Sequence, residues 1–169
     1  MKIKKEYVVV VLLIIFLSYL VLKSSSVFGI SSDNLEKDAR ESQKIDSAWD
    51  VSKSVNKNIG AMIFYKESRD DYIFSIYLNH SGFSYGYFFD SGGSIGEISD
   101  GIKKLSYGEK GSVLISMNKK EVARIELDNG IKVTIISIDS TKPFAEVIPS
   151  NCGRLTLFDV DGNEVPINE

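Results

Sequence analysis

Residues 59–90, IGAMIFYKESRDDYIFSIYLNHSGFSYGYFFD, decide the fold, because from Ile59 onward the side chains follow a period of two and β-branched and aromatic types take over. Ile59–Tyr65 and Tyr72–Asn79 predict the two strands of a hairpin, with the charged run Lys66–Asp71 as its turn. Phe83, Tyr85, Tyr87 and Phe89 alternate with Ser84, Gly86, Phe88 and Asp90, the pattern of a third strand with one aromatic face. Gly92, Gly93, Gly96 and Gly101 then break the alternation as a bulge or bend, with room for one helical turn over Ile98–Leu105.

Farther along, strands are predicted at Ser112–Met117, Val122–Leu127, Ile131–Ile138, Phe144–Ile148, Leu155–Phe158 and Glu164–Ile167. Asp128, Asn129 and Gly130 join one pair, and Asn-Gly supplies the positive backbone angles of a tight hairpin. Asp161, Gly162 and Asn163 join the last pair. This density of short strands indicates a mainly β fold, an antiparallel β-sandwich or small barrel over residues 59–169. No long helical pattern separates the strands, which argues against parallel βαβ units.

Upstream, residues 31–58 are polar and charged. Asp33 followed by Glu36 resembles a capping box, and Leu35, Ala39, Ser42, Ile45, Trp49, Ser52 and Val55 recur every three to four residues. The expectation is a stalk helix beginning near Asp33, whose second half docks on the β domain through Ile45, Ala48, Trp49 and Val55.

Residues 1–30 hold the uncharged run Tyr7–Leu22, YVVVVLLIIFLSYLVL, read as an N-terminal transmembrane helix. Lys2, Lys4 and Lys5 precede it and Lys23 follows, a bias that places the N-terminal side in the cytoplasm and the C-terminal domain outside the cytoplasmic membrane. The competing reading is a cleavable signal segment, with Ser24–Ser26 as its polar region and Val27 and Gly29 before the cut, leaving a secreted domain. Both readings make the domain extracytoplasmic.

The chain has 169 residues and a lone cysteine, Cys152, so no disulfide staples its core. From Ser31 onward 16 Lys and Arg face 22 Asp and Glu, a balance that repels phosphate backbones and argues against nucleic acid as a partner. The pairs Lys103, Lys104 and Lys119, Lys120 read as solvated strand ends. The strings GAMIFY, GYFFDSGGSIG, ISMNKKEVARIELDNG and LTLFDVDGN, behind an anchor and a short charged helix, resemble small uncharacterised membrane-anchored extracytoplasmic domains of Gram-positive bacteria. That resemblance carries over no functional residue.

Candidate chemistry is sparse. One histidine and one cysteine do not make a zinc site, and no GxSxG elbow marks a serine nucleophile. The sharpest enzymatic set is His80, Cys152 and Arg154, in which imidazole would activate a thiolate and guanidinium would hold an oxyanion. It is similar to the Cys, His and Arg set of sortase-type transpeptidases. It departs from them in lacking TLxTC before Cys152 and in placing Arg154 only two residues later. GGSIG lacks the GK[ST] of a phosphate loop. Asp159, Asp161, Asn163 and Glu164, and also Asp90, Glu97 and Asp100, offer oxygen ligands without the order of a calcium loop, so no metal or cofactor is assigned.

An aromatic-dense block remains. Tyr77, Tyr85, Tyr87 and Trp49 are candidate ligand-binding residues, since tyrosine and tryptophan join a flat apolar ring to a polar tip. Core packing of the block, and docking of the stalk through Trp49, are the competing readings. The function these features favour is a membrane-tethered binding or interaction domain for a protein, peptide or cell-wall component. A cysteine-dependent acyl-transfer enzyme and an immunity or inhibitor protein are the alternatives.

Overall fold

A computed structural model describes residues 5–24, 28–67, 71–80, 86–94 and 101–167. In it β2 (Ile59–Tyr65) is buried along its whole length, which is why its sequence is an unbroken apolar run. It pairs in antiparallel register with β1 (Asp50–Val55) and β3 (Tyr72–Asn79), and β3 pairs with β4 (Tyr87–Gly93), giving a first sheet ordered β1-β2-β3-β4. Asp90 has no partner in the β3–β4 register, so a bulge there sets Phe89 opposite Tyr77 and Ser91 opposite Ile76.

A second sheet consists of β5 (Ile102–Ser106), β6 (Ser112–Ser116) and β9 (Phe144–Ile148), in the order β5-β6-β9. A third contains β7 (Val122–Asp128), β8 (Val133–Ser137), β10 (Arg154–Asp159) and β11 (Glu164–Val165), ordered β11-β10-β7-β8. Period-two alternation stacks the three. Ile59, Ile63, Phe74 and Ile76 of the first sheet meet Val113, Ile115 and Val147 of the second. The opposite face of the second sheet sends Ile102, Leu114 and Ile148 against Ile125, Leu127 and Leu157 of the third.

The far face of the first sheet is closed by α2 (Leu35–Gln43), whose Leu35 and Ala39 cover Met62, Phe64, Tyr77 and Tyr87. Leu35 is fully buried, worth about 1.5–3 kcal/mol of transfer free energy. Gly60 makes room for it, since a Cβ there would stand 2.6 Å from Leu35 Cδ1. The result is one helix and three antiparallel sheets in four layers. This bears out the mainly β, antiparallel reading with three sheets, and among the described residues no sheet closes into a barrel.

The stalk reading is also corrected. The helix stops at Gln43 because Lys44 turns left-handed (φ 55°), letting Ile45 N–H donate to the Arg40 carbonyl at 2.9 Å. Arg40 then holds the returning chain by donating to the Asp46 and Trp49 carbonyls (2.9 and 3.1 Å), with its guanidinium 4.8 Å above the Phe64 ring. The expected second half of the stalk is therefore a turn followed by strand β1; Ile45 and Trp49 pack on the cluster with Leu35 and Ala39 as expected of them, while Val55 is exposed. Leu105 lies in β5 and not in a helical turn.

The N-terminal helix α1 runs Lys5–Ser24, 20 residues. Its side chains are described at Lys5 and over 7–21, and among the described residues no helix is long and apolar enough to cross a membrane. After it, Ile30 exchanges two backbone hydrogen bonds of 2.8 Å with Tyr87, docking the entering chain on β4.

Candidate functional site

The first and second sheets turn their edge strands β1 and β9 toward each other, and no ladder joins them. The connection is Ser54, which donates from Oγ to Glu146 Oε1 at 2.9 Å and accepts the Val147 N–H at 3.2 Å. Beside this junction, under the segment that leaves β8, opens a groove of about 400 Å³ whose polar lining includes Asp50, Ser52, Tyr65, Asp139, Lys142 and Glu146.

Its electrostatics follow from position. Burial pushes the Glu146 carboxyl above its ordinary range, and the Ser54 hydroxyl offsets only part of that. Asp139 shifts the other way, held low by the Thr141 hydroxyl and backbone N–H and by Lys142, whose Nζ lies 3.3 Å away. The lining thus carries three carboxyl groups, Asp50, Asp139 and Glu146, and one ammonium, Lys142, which Asp139 engages. A groove of this kind attracts a cationic group and carries the Ser52 hydroxyl in its lining. Among the described residues no group of three or more His, Cys, Asp or Glu is arranged to hold a metal ion.

The residues singled out from sequence fall elsewhere. Cys152 packs against the core between the second and third sheets, and its thiol reaches the Gly153 carbonyl at 3.7 Å. His80 follows β3 on the first sheet, edge-on to Phe88 at 4.8 Å, and lines a different groove with Lys57, Asn58, Tyr107 and Lys110. Gly153 has φ +71°, with no space for a Cβ beside the Asp128 carbonyl, and this turn separates Cys152 from Arg154, which begins β10 opposite Asp128. No imidazole or guanidinium contact to the thiol is present among the described residues, so the set does not assemble as a catalytic triad.

The tyrosine face is corrected. Tyr77 is fully buried, with its hydroxyl donating to Asp38 Oδ2 at 2.7 Å, and burial followed by that carboxylate raises its pKa. Tyr87 is also buried and donates to the Asn56 carbonyl at 2.5 Å. Both rings are floor for α2, so neither presents a surface to a ligand. Tyr85 lies outside the described residues. Trp49 is partly buried against the same cluster, with Lys66 Nζ 5.1 Å above its ring.

The acidic turn after β10 is held by its own side chains: Asp159 Oδ1 accepts the Asp161 and Asn163 N–H groups at 3.0 and 2.8 Å, and Asn163 Nδ2 donates to Oδ2 at 3.1 Å. Asp90 sits in the β4 bulge, while Glu97, Asp100 and Gly96 of GGSIG lie outside the described residues. Sequence reasoning missed Asp50, Ser54 and Glu146. One signal was available, a charge at the centre of the otherwise apolar strand FAEVI. No protein-family model, curated protein or solved structure matches the chain.

Proposed function

We propose that this chain is a membrane-tethered extracytoplasmic interaction domain that binds a partner through the groove at Glu146, the partner being a protein, peptide or cell-wall component that presents a cationic group. The groove carries the reading: a half-buried carboxyl, two further carboxylates and the Ser52 hydroxyl line one concavity, polar groups of the kind that orient a ligand. Catalysis through Cys152 has no comparable support, since its thiol packs on the cluster between the second and third sheets while His80 lines a groove that does not include it.

The tether rests on α1. Its uncharged run, the sixteen residues Tyr7–Leu22, reaches about 24 Å at ~1.5 Å per residue, most of a ~30 Å hydrocarbon core. Tyr7–Val21 are exposed all the way round, and a helix without a polar face is stable only where its surroundings are apolar. The lysines before the run favour the orientation with the β layers outside.

The test is a titration of the full chain in detergent, followed by the emission of Trp49, the neighbour of Asp50 in sequence. A short lysine-rich peptide should shift the emission saturably and less so at high salt, and the double variant Asp50→Asn, Glu146→Gln should weaken the response severalfold. An equal response to a glutamate-rich peptide, or none to either, would refute the groove.

A further inference from the structure

The first sheet carries a groove at each end, and the two differ in charge. Asp50 and Tyr65 mark the end with the Glu146 groove, while Val55, Ile59 and Asn79 mark the other, about 17 Å along β1 at ~3.3 Å per residue. There a second groove, of about 460 Å³, opens between the β1–β2 turn, the end of β3 and the β5–β6 turn. Lys57, His80 and Lys110 line it, with Glu109 as its carboxylate. Among the described residues none of those three side chains pairs with a carboxylate, Glu109 included.

The three segments brace one another. Asn58 Nδ2 donates to the Lys110 carbonyl at 3.3 Å, Asn79 Nδ2 to the Lys57 carbonyl at 2.9 Å, and Asn79 N–H to the Asn58 carbonyl at 2.8 Å. Lys110 Nζ donates to the Asn79 carbonyl. That acceptor is neutral, so the ammonium keeps its charge and two further N–H groups. A concavity held this way offers an anion positive charge and donors already in place.

Position selects the anion. The chain enters the β layers at this same end, since Ile30 bonds to Tyr87 and Tyr87 opposes Asn79. Two strand spacings, roughly 10 Å, separate the entry point from the groove. From Ser24, the last residue of α1, to Ile30 is six residues, a reach of at most about 21 Å. A tether so short keeps this end of the sheet beside the surface from which the chain emerges.

We propose that the Lys57, His80 and Lys110 groove binds the phosphate of an anionic lipid headgroup in the membrane that carries the chain. The inference rests on the tether proposed above. One headgroup is recognised by one groove, so the acidic balance of the whole domain does not decide the contact. Seated this way, the Glu146 groove lies at the end of β1 away from the bilayer, open to its partner.

Native mass spectrometry of the full chain in neutral detergent tests the site, with phosphatidylglycerol or phosphatidylcholine added at equal concentration. One phosphatidylglycerol should be retained severalfold above phosphatidylcholine. Lys57→Gln, which breaks no hydrogen bond among the described residues, should lower that retention severalfold, and adding Lys110→Gln should abolish the preference. The control Lys120→Gln with Lys132→Gln, outside both grooves, should keep it. The lysines flanking α1 are common to all variants, so the difference reads the groove. Equal retention of the two lipids, or retention unchanged in Lys57→Gln, would overturn the site. Displacement of phosphatidylglycerol by millimolar inorganic phosphate would assign the groove to a free anion and overturn the lipid. Flotation with vesicles of phosphatidylcholine alone tests the tether separately: the parent and every variant should float alike, and a chain left in solution would refute the anchor instead of the groove.

Discussion

Ser54 Oγ stands 2.9 Å from Glu146 Oε1 and 3.2 Å from the Val147 nitrogen, so one hydroxyl on β1 caps the edge of a sheet 92 residues farther along the chain. Val147 is buried, and its N–H has no water to turn to if the hydroxyl is lost. Removing one partner of a buried bond costs more than the bond contributes, because the remaining group stays desolvated. Ser54→Ala should therefore lower stability by about 1–3 kcal/mol in urea unfolding, with the slope unchanged. A loss below a few tenths would mean that Ser54 is incidental to the junction.

The pH dependence of Glu146 has a definite sign. Burial raises its folded pKa above the unfolded value, so the folded state holds a proton over a window in which the unfolded state has released it. The contribution of Glu146 to stability is fully present below the unfolded pKa and is lost as pH rises through the folded one. Glu146→Gln keeps an acceptor for Ser54 and removes the titration. Its stability relative to the parent should climb with pH across that window and then level off. A difference that is flat with pH would contradict the burial assigned to this carboxyl.

Tyr77 makes a comparable case on the other side of the first sheet. Its hydroxyl reaches Asp38 from full burial beneath α2, so Tyr77→Phe should cost about 1.5–3 kcal/mol, the range for a bond to a charged group. Calorimetric or denaturant unfolding would read it. A neutral result would place α2 off the sheet in solution.

Gly153 is a backbone requirement. At φ +71°, with the Asp128 carbonyl 2.0 Å from where a Cβ would sit, the turn admits no side chain without moving β10 against β7. Gly153→Ala should destabilise by more than the ~1–2 kcal/mol of a left-handed residue alone, measured by thermal unfolding. Gly162→Ala, with open space around the Cβ, should lose only that conformational part.

Much of this architecture was legible because burial here is written in simple periods. Ile59–Tyr65 and Tyr72–Asn79 match β2 and β3 residue for residue, since both are apolar runs bounded by charge. β1, DVSKSV, was not, because its serines and lysine carry no alternation strong enough to displace the helical spacing that precedes it. The stop at Lys44 was invisible for the same kind of reason, a left-handed position filled by neither glycine nor asparagine. Tyr77 and Tyr87 were open to reading as surface because the apolar stripe of α2 that packs on them is two residues, Leu35 and Ala39, too thin to announce a second buried face. The groove joins residues from β1, the 137–143 segment and β9, a proximity that depends on how sheets stack and not on any local pattern.

The central claim, a β-layered interaction domain displayed outside a membrane by α1, meets its most direct test in protease accessibility of intact cells producing the full chain. Trypsin added outside should remove the domain while a cytoplasmic marker survives, and the undigested protein should stay in the membrane pellet through an alkaline wash. A domain protected until the cells are broken, or one that the wash releases, would contradict the account.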